Sequence, residues 1–233
     1  MRIQYPFETN QLSLEYLGRD ETTTALKEVS VGFPMGAITI LGGSSGSGKS
    51  TLLNCLVGLK RPTGGMIKYE GNDVTKWSSR KWAELRQNEV HLVTQQTVLF
   101  PYLTIWENLC FVISSKNKEQ TELASHLLER MNLIKSKHRY PRELSIGGRQ
   151  RIATIRALLG NPKVILADEP TSALDEENSR IVMDVFTKYA EEGTTFIVAT
   201  HDPSVVSYGH QCIMLKDGKI VNEVSWKNTK NSD

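Results

Sequence analysis

The chain has 233 residues, with 28 Lys and Arg against 26 Asp and Glu, a formal net charge of +2. That length suits one large α/β domain with room for a subdomain, and the near balance of charge gives no reason to expect a nucleic-acid partner. No apolar stretch reaches the ~18 residues of a membrane span, and Met1 to Asp20 has no apolar core of signal-peptide type, so a cytosolic chain is expected.

Leu12–Tyr16 and Val29–Phe33 alternate apolar and polar residues and predict strands, with the polar segment Gly18–Thr24 as the turn between them. Ala37–Leu41 predicts a further strand. It runs into Gly43, Ser44, Ser45, Gly46, Ser47, Gly48, Lys49 and Ser50, which fit G-x-x-x-x-G-K-[ST], and a helix is expected from Thr51 to Val57. Strand, glycine loop and helix in that order are what a phosphate cradle needs. The glycines let backbone N–H groups turn inward, and the helix N-terminus adds partial positive charge. Lys49 can reach β- and γ-phosphates, and the Ser50 hydroxyl can ligate Mg²⁺.

Met66–Tyr69 and Val90–Val93 predict short strands with a helix over Ser79–Arg86 between them. From Pro101 to about Asn161 the pattern is helical. Leu123, Leu127, Leu128 and Met131 share one face by 3.6-residue spacing, Pro141 interrupts, and Gly148–Leu159 is a second amphipathic stretch stopped by Gly160-Asn161-Pro162. Val164–Ala167 and Thr195–Ala199 are continuous apolar strands suited to the middle of a parallel sheet, with a helix over Asn178–Glu191 between them. Asp217-Gly218 joins Ile213–Lys216 to Lys219–Val224 as a hairpin, and residues 227–233 form a polar tail. The βαβ alternation at both ends implies a parallel sheet, and the helical block between them implies an inserted subdomain. Cys55, Cys110 and Cys212, odd in number and scattered among apolar neighbours, are expected to be buried reduced thiols.

Strand Val164–Ala167 ends in Asp168-Glu169. A carboxylate at such a strand end can hold Mg²⁺, usually through water. The next carboxylate faces another way, because strand side chains alternate, and Glu169 can orient or deprotonate an attacking water.

Asp168-Glu169-Pro170-Thr171-Ser172-Ala173-Leu174-Asp175 resembles the Walker B segment and D-loop of ABC transporter ATPases. Leu144-Ser145-Ile146-Gly147-Gly148-Arg149-Gln150-Arg151 resembles their signature segment, Val198-Ala199-Thr200-His201-Asp202 their switch-histidine segment, and Val93-Thr94-Gln95 their Q-loop. Order and spacing agree over about Leu12 to Val224. The resemblance implies a single ABC ATPase domain over 1–233. Its fold would be a P-loop NTPase with a RecA-like α/β core, an N-terminal antiparallel β part and a helical subdomain at about 96–160.

The resemblance also implies roles. ATP would lie on Gly43, Ser44, Ser45, Gly46, Ser47, Gly48, Lys49, Ser50 and Thr51, with Tyr16 stacked on adenine. Mg²⁺ would be held by Ser50, Gln95 and Asp168. Glu169 would act as base and His201 would bond the γ-phosphate, with Lys49 and Gln95 completing the catalytic set. Ser145, Gly147 and Gly148 would cap the ATP of a second subunit in a homodimer that buries two ATP. The signature departs from Leu-Ser-Gly-Gly-Gln at two places, Ile146 for the first Gly and Gly148 for the Gln. An integral membrane permease would dock near Gln95–Tyr102, placing the chain peripherally on the cytoplasmic face of the inner membrane.

A finer resemblance, carried by Lys76-Trp77-Ser78-Ser79, Ala83-Glu84-Leu85-Arg86 and Thr104-Ile105-Trp106-Glu107-Asn108, is to the lipoprotein-release, macrolide-efflux and cell-division ATPases. It implies export or extraction. The alternatives are a division-type ATPase that transmits work without transport, and a soluble ABC ATPase of DNA repair or translation.

Overall fold

The computed structural model describes residues 4–18, 22–113 and 117–225. Two sheets share the chain. The first is antiparallel, in the order β2 (Thr22–Phe33), β1 (Phe7–Leu17), β4 (Gly64–Tyr69), β5 (Asn72–Asp73). The second has the order β10 (Lys219–Ser225), β9 (Gln211–Lys216), β3 (Ile38–Gly42), β8 (Thr195–Ala199), β7 (Val164–Asp168), β6 (Val90–Val93). In it β9, β3, β8, β7 and β6 are parallel, and β10 returns antiparallel at one edge.

The parallel strands are mostly apolar because both faces are covered, and the polar Thr39 of β3 and Gln211 of β9 are paired with each other inside the sheet at 2.9 Å. On one side Leu41, Leu166 and Ile197 meet the antiparallel sheet and helices α1 (Lys49–Leu56) and α2 (Ser79–Asn88), with Phe7, Phe33, Leu52 and Trp82 in the same core. On the other, Ile38, Ile40, Ile165 and Val198 meet α3 (Ile105–Cys110), α4 (Lys118–Arg130), α5 (Ile146–Leu159) and α6 (Glu176–Glu191). The alternation along each strand sorts its side chains between two cores. A short α7 (Pro203–Val206) precedes β9.

The apolar face of α4 is as expected: Leu127, Leu128 and Met131 are buried and Leu123 is half-buried. Pro141 opens a single 3₁₀ turn, Pro141–Glu143, rather than ending a helix. Asp217 and Gly218 both have positive φ, as a two-residue hairpin turn requires. Three expectations shift. Thr22–Thr24 belong to β2, paired with β1 out to Leu17, and not to a turn. Helix α5 starts at Ile146, because the Ser145 side chain caps it, and so takes in the first two glycine-region residues. Cys110 is only half-buried, whereas Cys55 and Cys212 are buried, and all three thiols are free. The turn residues 19–21 and the tail 227–233 lie outside the described residues.

Candidate phosphate site

The loop between β3 and α1 is shaped by glycines at the two places where a side chain cannot fit. Gly43 has φ of 143°, and a Cβ there would stand 2.3 Å from the Leu215 carbonyl oxygen and 2.6 Å from Ser47 Oγ. Gly48 has φ of 108°, and its Cβ would meet the Ala25 carbonyl oxygen at 2.7 Å. The loop is thus wedged between β2 and the β9–β10 hairpin, whose Gly218 amide donates to the Ser47 carbonyl at 3.0 Å. Gly46 faces open space.

Lys49 begins α1 and is buried. Its Nζ donates to the carbonyl oxygens of Gly43 (2.7 Å) and Ser44 (3.0 Å), so the ammonium lies folded across the mouth of the loop. Ser50 Oγ donates to Asp168 Oδ1 at 3.0 Å, joining the loop to the end of β7. Burial holds the Asp168 carboxyl above the usual carboxylate range, as does its neighbour Glu169, although the Ser50 hydroxyl and the Lys49 charge pull the other way. Glu169 is buried, and its Oε1 lies 2.7 Å from Nδ1 of His201, whose ring is largely exposed. Thr200 Oγ1 lies 3.5 Å from its other carboxylate oxygen.

These groups surround one cavity of about 250 Å³ lined by Ser45 to Thr51 together with Ala25, Gln95, Glu169 and His201. The structure therefore brings together Lys49, Gln95, Glu169 and His201, the whole expected catalytic set, from the ends of four strands, β3, β6, β7 and β8. Ala25 was not anticipated; nothing marks a small residue in a strand as a lining group until the fold sets its carbonyl against Gly48. Oxygen donors Ser50 and Asp168 side by side suit a hard cation such as Mg²⁺. A larger cavity of about 580 Å³ lies between α6 and α7, lined by Asp175, Glu176, Arg180 and Tyr208 among others. It contains none of the glycine-loop amides, so size is no guide to the chemistry here.

Tyr16, in β1 opposite Thr23, is half exposed and does not line the 250 Å³ cavity; Lys60 Nζ stands 5.2 Å from the centre of its ring. The signature residues also lie outside that cavity. Ser145 Oγ accepts from the Gly148 amide at 3.0 Å, and Ile146 is 66% exposed on the first turn of α5. Gly147 packs on the D-loop, where a Cβ would meet the Ala173 carbonyl oxygen at 2.6 Å. A Cβ on Gly148 would sit 3.3 Å from Leu144 Cβ and from Ser145 Oγ, a tight but not closed space. His91 and His210 are tied to backbone, His91 Nδ1 to the Ala157 carbonyl (2.6 Å) and His210 Nδ1 to the Ile38 amide (3.0 Å).

Comparison with known proteins accords with this geometry. Residues 26–172 match the ABC transporter family. The chain is 40% identical over 205 residues to the ABC transporter ATP-binding protein YtrE of Bacillus subtilis, covering 86% of this chain and 89% of the relative. It is 37% identical over 215 residues to the lipoprotein-releasing system ATP-binding protein LolD of Buchnera aphidicola, covering 91% and 94%. The dimeric post-hydrolysis structure of the ATP-binding cassette MJ0796, bound to ADP and Pi, superposes with a TM-score of 0.87 at 33% identity over 95% of this chain and 99% of that one. The chain belongs to the ABC transporter family as an ATP-binding, ATP-hydrolysing cassette of the kind found in lipoprotein-release systems.

Proposed function

We propose that the chain works as a homodimer enclosing two ATP at the cytoplasmic face of the inner membrane, where it powers export or extraction through a separate integral membrane permease. The observation that carries the dimer is a separation. Lys49, Ser50, Gln95, Glu169 and His201 share one cavity, while Ser145 opens α5 outside it, so each copy offers half of an enclosed site. Among the described residues no helix is long and apolar enough to cross a membrane.

Within the site the residues divide the work. The loop amides and Lys49 hold phosphate oxygens, and Lys49 does so by leaving the Gly43 and Ser44 carbonyls. Ser50, Asp168 and Gln95 would hold Mg²⁺, which would supply charge to neutralise the phosphates. Glu169 accepts the proton of the attacking water. The water oxygen bonds to the γ-phosphorus while the bond to the bridging oxygen breaks and leaves its electron pair on ADP. His201, already bonded to Glu169, steadies the carboxylate and faces the γ-phosphate position. Ser145 with the amides of Gly147 and Gly148 covers the phosphate of the other copy, and Tyr16 stacks on the base.

The test is Glu169→Gln, which keeps shape and removes the base. It should bind ATP, lose turnover by at least about a hundredfold, and accumulate as a dimer by light scattering. A variant that stays monomeric at tens of micromolar with ATP, or that hydrolyses at the wild-type rate, would overturn the proposal.

A further inference from the structure

Glu169 has an unusual backbone. Its φ of +51° lies in the left-handed region, where a residue with a side chain costs of order 1–3 kcal/mol unless its surroundings hold it. Its amide donates to the Ala199 carbonyl of β8 at 2.8 Å. Its carbonyl accepts from Ser172, through amide (3.3 Å) and hydroxyl (3.1 Å), and at 2.5 Å from Nε2 of Gln150. The Ser172 bonds close the local turn. The Gln150 bond reaches in from α5.

Gln150 is 2% exposed, and its Oε1 has no partner among the described residues. A buried amide oxygen without a donor costs about 1–3 kcal/mol. Turning the amide over would set Oε1 against the Glu169 carbonyl, oxygen to oxygen, so the orientation is chosen by that one N–H bond. An apolar side chain of the same length would fill this space without the unpaired oxygen. The position therefore carries an amide for what it does to Glu169, not for packing.

We propose that Gln150 is a positioning residue: its N–H locks the left-handed turn that aims the Glu169 carboxylate, and so ties the base to the seat of α5. The inference rests on Glu169 acting as the base. The same helix opens with Ser145, five residues or roughly 7 Å away along its axis. A helix drawn toward the other copy's nucleotide at its first turn would thus pull on the base of its own copy one and a half turns later.

Gln150→Met removes the N–H at nearly constant volume. The expected result is a 10- to 100-fold lower kcat, the usual scale for loss of a residue that orients a catalytic group, with ATP affinity within about twofold and an unchanged or higher melting temperature. In a Glu169→Gln background the same change should lower the residual rate no further, since the base it aims is gone. Gln150→Glu supplies a donor only when protonated, so its activity relative to wild type should climb as pH falls. Wild-type kcat in Gln150→Met would overturn the brace and leave the base assignment standing. A parallel fall in kcat, affinity and melting temperature would make Gln150 a packing residue and overturn it as well. Wild-type turnover by Glu169→Gln would remove the base, and the proposal with it.

Discussion

Asp168 sits where its charge is least welcome before anything is bound. Its carboxyl is raised chiefly by burial; the Ser50 hydrogen bond pulls it down, the Glu169 charge adds to the rise, and the Lys49 charge opposes it least. A raised carboxyl titrates between its unfolded and its folded values. Below the unfolded value it is protonated in both states and costs nothing; above the folded value the buried charge is present in full and opposes folding. Asp168→Asn removes that charge and keeps an oxygen to accept from Ser50 Oγ. We expect the nucleotide-free variant to melt about 2–4 °C higher at pH 7, equivalent to roughly 1 kcal/mol in a domain of this size, and the gain to vanish toward pH 4. The same change should abolish Mg²⁺-dependent hydrolysis. Calorimetry across pH beside a turnover assay checks both; a variant less stable at pH 7 than the wild type would show that the carboxylate is already compensated. At this scale the sequence was most legible where residues come in fixed strings. Lys49, Ser50, Asp168, Glu169 and His201 are each marked by neighbours in the chain. Ala25, Gln150 and Lys60 act through space, and no local pattern announces a carbonyl, an amide or an ammonium whose partner lies in another element.

Elements were legible where one physical signal dominated. The buried strands β3, β7 and β8 are mostly apolar because two cores cover them, and Asp217-Gly218 accepts the positive φ its turn demands. Boundaries set by side-chain capping were harder. Helix α5 begins at Ile146 because Ser145 Oγ takes the Gly148 amide, a bond that outweighs the poor helix propensity of two glycines. β2 runs through Thr22–Thr24 because β1 is there to pair with, a tertiary fact with no sequence period. The end of α1 shows how tightly such junctions are set. Val57 caps the helix, and Gly58 follows in the left-handed region with φ of +67°. A Cβ there would lie 2.1 Å from the Trp82 ring of α2. Gly58→Ala must therefore displace an indole buried in the second core as well as strain the backbone. Overpacking of this kind costs about 1–3 kcal/mol, to which the left-handed conformation adds about 1 more. Urea melts should show that loss with Lys49 and the phosphate cavity intact, read as unchanged ATP affinity in the surviving folded protein. Equal stability would mean that Trp82 has room to move.

The whole molecule presents an apolar surface that its own core does not use. Val98, Phe100 and Tyr102 are exposed just after β6 and Phe111 at the end of α3, with Tyr102 at 89% and Phe100 at 46%. Phe100 and Phe111 stack on each other with centroids 4.5 Å apart, and Asn108 fixes the segment by accepting from the Phe100 amide (2.8 Å) and donating to its carbonyl (3.1 Å). A loop braced this firmly holds its aromatic groups ready instead of folding them in, which is what docking onto a partner helix requires. Gln95, at the cavity wall, lies five residues before Phe100, so a partner seated on the aromatic pair is one short segment from the nucleotide. Phe100→Glu places a charge in that contact. Because Phe100 is half exposed in the free chain, the fold should tolerate it, with a melting temperature within about 3 °C of wild type. Burial against the membrane subunit should not tolerate it: an unpaired carboxylate in an apolar contact costs several kcal/mol, enough to weaken association at least about a hundredfold. The measurement is co-purification of the permease with tagged wild type and variant, run beside ATP affinity of the isolated chain. Lost association with intact nucleotide binding places the contact here. Loss of both together would assign Phe100 to the cassette's own packing, and retained association would move the docking surface elsewhere on the molecule.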